Sequence, residues 1–256
     1  VTAAAGGGAP QYRNVLVIGG TSGLGRAVAG VFAPVAERVH LTYNGRREEA
    51  EQVAEEVAKA GGAARVHRLA LPDPDARGPR VRELLMAAMP CDAVVNCAVA
   101  NDAAVTTIAN ADRFKAVIDA NIFGAYQVNA VSAQTLAASG GGTVVNVSSI
   151  LTRKYITGAI GYITSKAAIE AMTRGFAREW GKLGLRFTTV SPGPIRDTRL
   201  LGSVPREAVE EIMGGPDFED RLLPPERVAD VIRAVTGPEF AAVNGEIVTV
   251  DEGFSL

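Results

Sequence analysis

The sequence is poor in several residues that would announce a particular chemistry. Of 256 residues, two are cysteine (Cys91 and Cys97) and two are histidine (His40 and His67). If residues 92–97 form a strand, the steps from Cys91 to Cys97 cover about 20 Å, far beyond disulfide reach. Reduced thiols in a cytoplasmic protein are the expectation, and neither cysteine belongs to a Cys/His cluster at zinc spacing, so no metal site is expected. The histidines stand singly in strand-like runs and read as structural. A formal net charge of −2 argues against a polyanion-binding surface and so against a nucleic-acid partner. No stretch offers about twenty uninterrupted apolar residues, so no membrane span is expected. Residues 1–10 are rich in Ala and Gly and lack the basic and apolar regions of a signal peptide; they read as a flexible tail.

What is present is ordinary globular material, 47% apolar and 21% charged, in a chain long enough to bury a sizeable core. Strand-like runs at residues 14–19, 39–43, 63–70, 92–97, 143–147, 185–190 and 246–250 alternate with helical stretches from about residue 24 and at 46–60, 111–138 and 162–183. Such alternation predicts a parallel sheet covered by helices, joined by right-handed crossovers. No repeat, linker or composition shift divides the chain. Residues 11–256 therefore read as one doubly wound α/β domain, with a parallel seven-stranded sheet and helices on both faces. Residues 194–225 are the irregular part, with Pro and Gly around a helical piece at 208–213, and are expected to form a lid.

Two motifs carry chemistry. Gly19-Gly20-Thr21-Ser22-Gly23-Leu24-Gly25 directly follows the first strand and opens a helix. Glycine permits a tight turn there and lets backbone N–H groups approach a diphosphate, which a helix N-terminus favours. The spacing G-x-x-x-G-x-G differs from the commoner dinucleotide fingerprint and lacks the Gly-Lys-Ser/Thr ending of a P-loop, which disfavours an NTPase. Further on, Tyr162 and Lys166 form Y-x-x-x-K, with Ser149 upstream after a strand. Residues four apart share a helix face, which places an ammonium beside a phenol. A free tyrosine titrates near ~10, and a neighbouring cation favours its anion. The expectation is a Tyr162 pKa lowered by Lys166, making a general acid/base unit for carbonyl chemistry.

Taken together, the motifs resemble those of the short-chain dehydrogenase/reductase family over nearly the whole chain. Gly19, Gly23 and Gly25 match its glycine pattern, and Asn96-Cys97-Ala98-Val99 stands where N-N-A-G is usual. Asn121, Ser149, Tyr162 and Lys166 fall in its catalytic order and spacing. Pro192-Gly193 matches its turn after strand six, and Val250-Asp251-Glu252-Gly253 its terminal V-D-G-G. The resemblance implies a Rossmann-like fold and a nicotinamide cofactor held by Gly19, Thr21, Ser22, Gly23, Leu24, Gly25, Asn44, Arg46, Arg47, Asn96, Ala98, Tyr162, Lys166, Pro192, Gly193 and Ile195. It also implies roles: Tyr162 passes a proton to the substrate oxygen, Lys166 tunes Tyr162 and holds the ribose, Ser149 binds the oxygen, and Asn121 anchors a water relay. The second strand ends without a carboxylate before Glu48, while Arg46 and Arg47 suit a 2′-phosphate, so NADPH (NADP+) is the expected cofactor. Ile18, Ala70, Val99 and Glu252 depart from the family pattern. A β-branched residue such as Val99 disfavours positive φ, which puts the cofactor fit there in question.

Within the family the chain is most similar to 3-oxoacyl-carrier-protein reductases, which implies reduction of a β-keto thioester to the β-hydroxy form. The enoyl reductases generally show a longer Tyr-to-Lys interval, which favours carbonyl chemistry here. An acidic acyl carrier protein would meet Arg174, Arg178 and Lys182, or Arg153 and Lys154. Leu200, Leu201, Val204, Ile212, Met213 and Phe218 are candidates for an acyl site under the lid or for packing it down. Two alternatives stay open: an NADP-dependent reductase or dehydrogenase of another ketone or secondary alcohol, and a non-catalytic nucleotide-binding regulator. Family members often form tetramers through the two long helices and the terminal strand, and a homotetramer is expected.

Overall fold

The computed structural model describes residues 10–21, 23–71, 74–100, 107, 110–202, 204, 206–215 and 217–256. Seven strands hydrogen-bond in the order β3-β2-β1-β4-β5-β6-β7, all in parallel. They are β1 (Tyr12–Ile18), β2 (Ala36–Tyr43), β3 (Ala64–Arg68), β4 (Ala93–Asn96), β5 (Gly142–Val147), β6 (Leu185–Pro192) and β7 (Ile247–Val250). The helices are α1 (Leu24–Phe32), α2 (Arg47–Lys59), α3 (Pro74–Ala87), α4 (Ala111–Ile118), α5 (Gly124–Ala137), α6 (Ile160–Trp180), α7 (Arg199–Gly202), α8 (Arg206–Met213) and α9 (Pro225–Thr236). This is the Rossmann-like architecture expected, one domain with seven parallel strands. No helix among the described residues is long and apolar enough to cross a membrane.

Both faces of the sheet are buried, which is why the central strands carry runs such as Val15-Leu16-Val17 and Val94-Val95, all fully buried. One face packs on α1, α2 and α9 through Val28, Phe32, Val53, Ile232 and Val235. The other packs on α3, α5 and α6 through Leu84, Leu85, Val128, Leu136 and Phe176. Each buried aliphatic or Phe side chain contributes roughly 1.5–3 kcal/mol, so these two layers hold the sheet between them.

Helices α3 and α9 have no counterpart in the sequence reading. Pro79 sits inside α3 and weakens its helical signal. α9 opens with Pro225 at its first turn and buries Val228, Ala229, Ile232 and Val235 on one face. The expected continuous helix over 111–138 is interrupted: between α4 and α5 the chain makes a π-helical turn, Asp119–Phe123. His40 and His67 do prove structural. Their rings stack, His67 Nε2 lies 3.0 Å from His40 Nδ1, and His40 Nε2 reaches Asn14 Oδ1 at 3.3 Å. Cys91 and Cys97 are both free thiols.

The strand order reverses between β1 and β4. In an open parallel sheet that reversal leaves a crevice at the carboxyl ends of the strands. The turns after β1, β2, β4, β5 and β6 all converge there. Described residues between Pro194 and Val204, α7 among them, cover its side, and α8 and a short 3-10 turn (Glu219–Arg221) follow.

Candidate active site

A cavity of about 900 Å³ fills the crevice. Its walls come from the glycine turn (Gly19, Thr21, Gly23, Leu24, Gly25), the end of β2 (Asn44, Arg46), the loop after β4 (Ala98, Val99, Ala100), and the Ser149, Tyr162, Lys166, Asn121 group. Pro192, Gly193 and Ile195 close it from the end of β6. Two residues expected at the cofactor are not on the wall. Arg47 extends from α2 to Glu51 at 2.7 Å, an exposed i,i+4 pair. Asn96 is buried and turns its Oδ1 to accept from the Ala98 N–H at 3.3 Å, so it shapes the loop from behind. Ser22 lies outside the described residues.

The glycine turn is built by packing. A Cβ at Gly25 would stand 2.1 Å from the Gly19 carbonyl oxygen, and one at Gly19 would stand 3.0 Å from the Ala98 backbone. The N–H groups of Gly19 and Gly20 both donate to Thr42, to Oγ1 and to the carbonyl, which ties β2 to the turn. Those two donors are spent. Donors for an anion remain in the first turn of α1, whose N-cap, Gly23, supplies no side-chain bond. Among its described residues the cavity wall carries three cations, Arg46, Lys166 and Arg199, and no carboxylate. Helix-end donors and wall charges that, among the described residues, are all cationic fit an anionic dinucleotide. The Val99 departure costs nothing in backbone strain: its φ is not positive, and its side chain lies half exposed on the wall.

Ser149 and Tyr162 lie side by side. Ser149, extended after β5, caps a 3-10 turn (Ile150–Thr152), its Oγ accepting from the Leu151 N–H at 3.2 Å. Its neighbour Ser148 donates to Glu170 Oε1 at 2.7 Å. Glu170 also accepts from Thr152 Oγ1 at 3.0 Å, so one carboxylate on α6 grips the loop on both sides of Ser149. Both serines line the cavity, but the Ser148 hydroxyl is committed to Glu170 while that of Ser149 lies beside the Tyr162 phenol.

Tyr162 and Lys166 share the buried face of α6 as their spacing predicts. The expected lowering of the Tyr162 pKa is not what the structure gives. Burial pushes the phenol up to about 12, opposed by a side-chain hydrogen bond from Ser149. The Lys166 Nζ lies 5.6 Å from the Tyr162 ring centroid and donates instead to the Val147 carbonyl at 2.7 Å. Spacing set the shared face but not where a flexible four-carbon stem aims. Burial also brings Lys166 down to about 8. At neutral pH the site therefore holds a protonated phenol and a largely protonated amine.

Asn121 sits in the π turn, 4% exposed. Its amide bonds the Ala100 backbone twice, Nδ2 to the carbonyl and the N–H to Oδ1, each at 2.7 Å, and donates to Ser165 Oγ at 3.0 Å. Ser165 in turn donates to the Tyr162 carbonyl at 2.7 Å. A π turn widens the helix by one residue and recurs at functional sites; here it brings Asn121 against both the β4 loop and α6. The side chain is wholly engaged, so its visible work is to set the loop against the Tyr162 helix.

Of the acyl-site candidates, Leu201 and Val204 line the cavity, whereas Met213 and Phe218 are buried with Val209 in a small core within the cover. The side chains of Leu200 and Ile212 lie outside the described ones. Arg153 donates to Thr249 Oγ1 at 2.8 Å and Lys154 lies 4.1 Å over the Phe254 ring, so both turn inward to the C-terminal segment. Arg174, Arg178 and Lys182 are exposed on α6 and the turn that follows it. Thr198 and Arg199 also line the cavity, and the sequence reading missed them. Their only signal is their position just after Pro192-Gly193.

Comparison with known proteins agrees with this geometry. The family model described as Enoyl-(Acyl carrier protein) reductase matches residues 19–255. A curated relative in Caenorhabditis elegans, "Probable 2,4-dienoyl-CoA reductase 3 [(3E)-enoyl-CoA-producing]", is 30% identical over 253 residues, covering 96% of this chain and 81% of that protein. The (3R)-3-hydroxyacyl-CoA dehydrogenase of Mus musculus is 28% identical over 250 residues, covering 94% and 95%. A solved structure described as "a putative betaketoacyl-ACP reductase" superposes with a TM-score of 0.80 at 30% identity, covering 97% of this chain and all of that one.

Proposed function

The chain belongs to the short-chain dehydrogenase/reductase family, and from that premise we propose that it is an NADPH-dependent ketoreductase acting on a β-keto (3-oxoacyl) thioester. The observation that carries the reading is the single cavity in which the Ser149, Tyr162, Lys166 set meets the glycine turn and the cationic end of β2. A bound nicotinamide dinucleotide supplies hydride. The chain's own residues do the rest. Gly23 at the N-cap and Leu24 and Gly25 in the first turn of α1 would offer N–H groups to the diphosphate, Arg46 would hold a 2′-phosphate, and Lys166 would bond the ribose hydroxyls. Ser149 donates to the carbonyl oxygen where negative charge develops. Tyr162 gives that oxygen its proton.

Burial keeps the Tyr162 phenol protonated at neutral pH, with a pKa of about 12, and that is the form able to give a proton to a carbonyl oxygen. The hydroxyacyl-CoA, dienoyl-CoA and ketoacyl-ACP names of the relatives share an acyl thioester, which supports that substrate class. Leu201 and Val204 give the cavity an apolar side for an acyl chain. An acyl carrier protein would dock on the exposed Arg174, Arg178 and Lys182. Phe114, Phe123 and Tyr126 stand roughly half exposed on α4, the π turn and α5, and burying them between subunits supports a homotetramer.

A second reading has a specific basis in the relatives named for dienoyl-CoA: reduction of a conjugated double bond. NADPH consumption against a panel separates the two. The panel holds a 3-oxoacyl thioester, its carrier-bound form, a 2,4-dienoyl thioester and simple ketones. Preference for the oxoacyl thioesters upholds the proposal. Turnover of the dienoyl substrate alone moves the assignment to the second reading, and turnover of free ketones alone overturns the thioester class.

A further inference from the structure

The mouth of the cavity holds an arrangement that the reaction does not use. Glu49, in the first turn of α2, receives two guanidinium groups at once. Arg46 Nη1 lies 3.2 Å from Oε1, and Arg199 Nη2 meets Oε2. Arg199 comes from the other end of the site, as the first residue of α7. It is brought there by close packing: a Cβ on Gly23 would stand 3.1 Å from Thr198 Cγ2, so the chain entering α7 lies directly on the glycine turn. The hydrogen bond from Arg199 is the largest of the effects that hold the Glu49 carboxyl below the usual range, so Glu49 stays anionic at neutral pH.

Placement gives this cluster its interest. The three side chains are 33% to 57% exposed, and ion pairs so solvated contribute little to stability. Arg46 and Arg199 both line the cofactor cavity. Glu49 does not; it lines an adjoining polar recess together with Thr21, Gly23, Arg26, Gln52, Asp197 and Arg199. Two guanidiniums from separate segments thus form a fork at the end of the cavity where β2 finishes, and a carboxylate fills it from behind. A phosphate monoester brings more charge and one more oxygen than a carboxylate, and guanidinium forks bind it bidentately.

We propose that Arg199 is a second specificity-determining residue for the 2′-phosphate of the cofactor, and that Glu49 is the anion occupying its guanidinium until that phosphate arrives. The inference rests on the NADPH reading above and adds two residues to it. Glu49 then acts as a competitor whose removal strengthens phosphate binding, whereas Arg199 acts as a ligand whose removal weakens it. The two substitutions should move affinity in opposite directions, which a merely structural ion pair would not do.

The test is calorimetric titration of the purified enzyme with 2′,5′-ADP and, as the probe lacking the 2′-phosphate, 5′-AMP. Arg199→Gln should weaken 2′,5′-ADP about tenfold, and Glu49→Gln should tighten it about threefold, both leaving 5′-AMP unchanged. Thermal melts matching the wild type confirm that each variant is folded. Unchanged 2′,5′-ADP affinity in Arg199→Gln, or weakened affinity in Glu49→Gln, overturns the inference. A wild type that binds both probes equally, with no response to Arg46→Gln, overturns the NADPH reading and this inference with it. Loss of discrimination in Arg46→Gln while the other two variants behave as wild type overturns this inference alone.

Discussion

Replacing Lys166 by Met should destroy reduction and at the same time stabilise the fold at neutral pH. Lys166 is 3% exposed, and burial lowers its pKa from 10.5 to about 8. A drop of that size corresponds to roughly 3 kcal/mol spent on keeping the charge inside. Methionine removes that cost but leaves the Val147 carbonyl without the Nζ–H donor it has at 2.7 Å, which gives back about 1–2 kcal/mol. The net expectation at pH 7 is a gain of about 1–2 kcal/mol. The sign changes with pH. Between about 8 and 10.5 the unfolded chain holds a proton that the folded chain has released, so wild-type stability rises with pH across that window. The advantage of Lys166→Met should therefore shrink above pH 8 and vanish or reverse near pH 10. Urea unfolding of the cofactor-free protein at pH 7 and at pH 10 measures both. A variant less stable than wild type at pH 7, or a difference independent of pH, would refute the picture of a charge held inside at a cost.

Four further outcomes are expected. Tyr162→Phe should keep the fold and dinucleotide binding, and lower carbonyl reduction by at least about 10²–10⁴-fold in steady-state turnover; near-normal turnover removes Tyr162 as the proton donor. Arg46→Asp should shift the NADPH-to-NADH ratio of kcat/KM by about tenfold or more, while Arg47→Asp, off the cavity wall, should leave the ratio alone; equal shifts would contradict that placement. Glu252 holds a left-handed φ of 53°, so Glu252→Gly should raise stability by about 1 kcal/mol in chemical denaturation; a loss would mean that the Glu252 side chain contributes more than its backbone costs. Light scattering should give the mass of a homotetramer, and charged replacements of Phe123 and Tyr126 should lower it; a monomeric wild type would refute that assembly.

The strands and the glycine turn were legible because parallel strands buried on both faces must be written as apolar runs, and tight packing at Gly19 and Gly25 admits no side chain. The shared face of Tyr162 and Lys166 was legible from helical periodicity alone. What that periodicity does not encode is burial depth, and so the direction of the Tyr162 pKa was misread: the phenol is governed by desolvation, with the ammonium turned to Val147. The π turn at Asn121 was likewise invisible, since one inserted residue leaves the composition of a helix unchanged. α3 was hidden by Pro79. Arg199 could not be read as part of the mouth because it meets Glu49 across 150 positions of sequence, a contact made only by topology.

The account stands most directly on where the hydride goes. NADPH deuterated at the reactive C4 position, incubated with the enzyme and a 3-oxoacyl thioester, should give a β-hydroxy thioester carrying one deuterium on C3, read by mass spectrometry. Product without deuterium at C3, or no product while the dinucleotide is bound, would contradict carbonyl reduction by the Ser149, Tyr162 and Lys166 set.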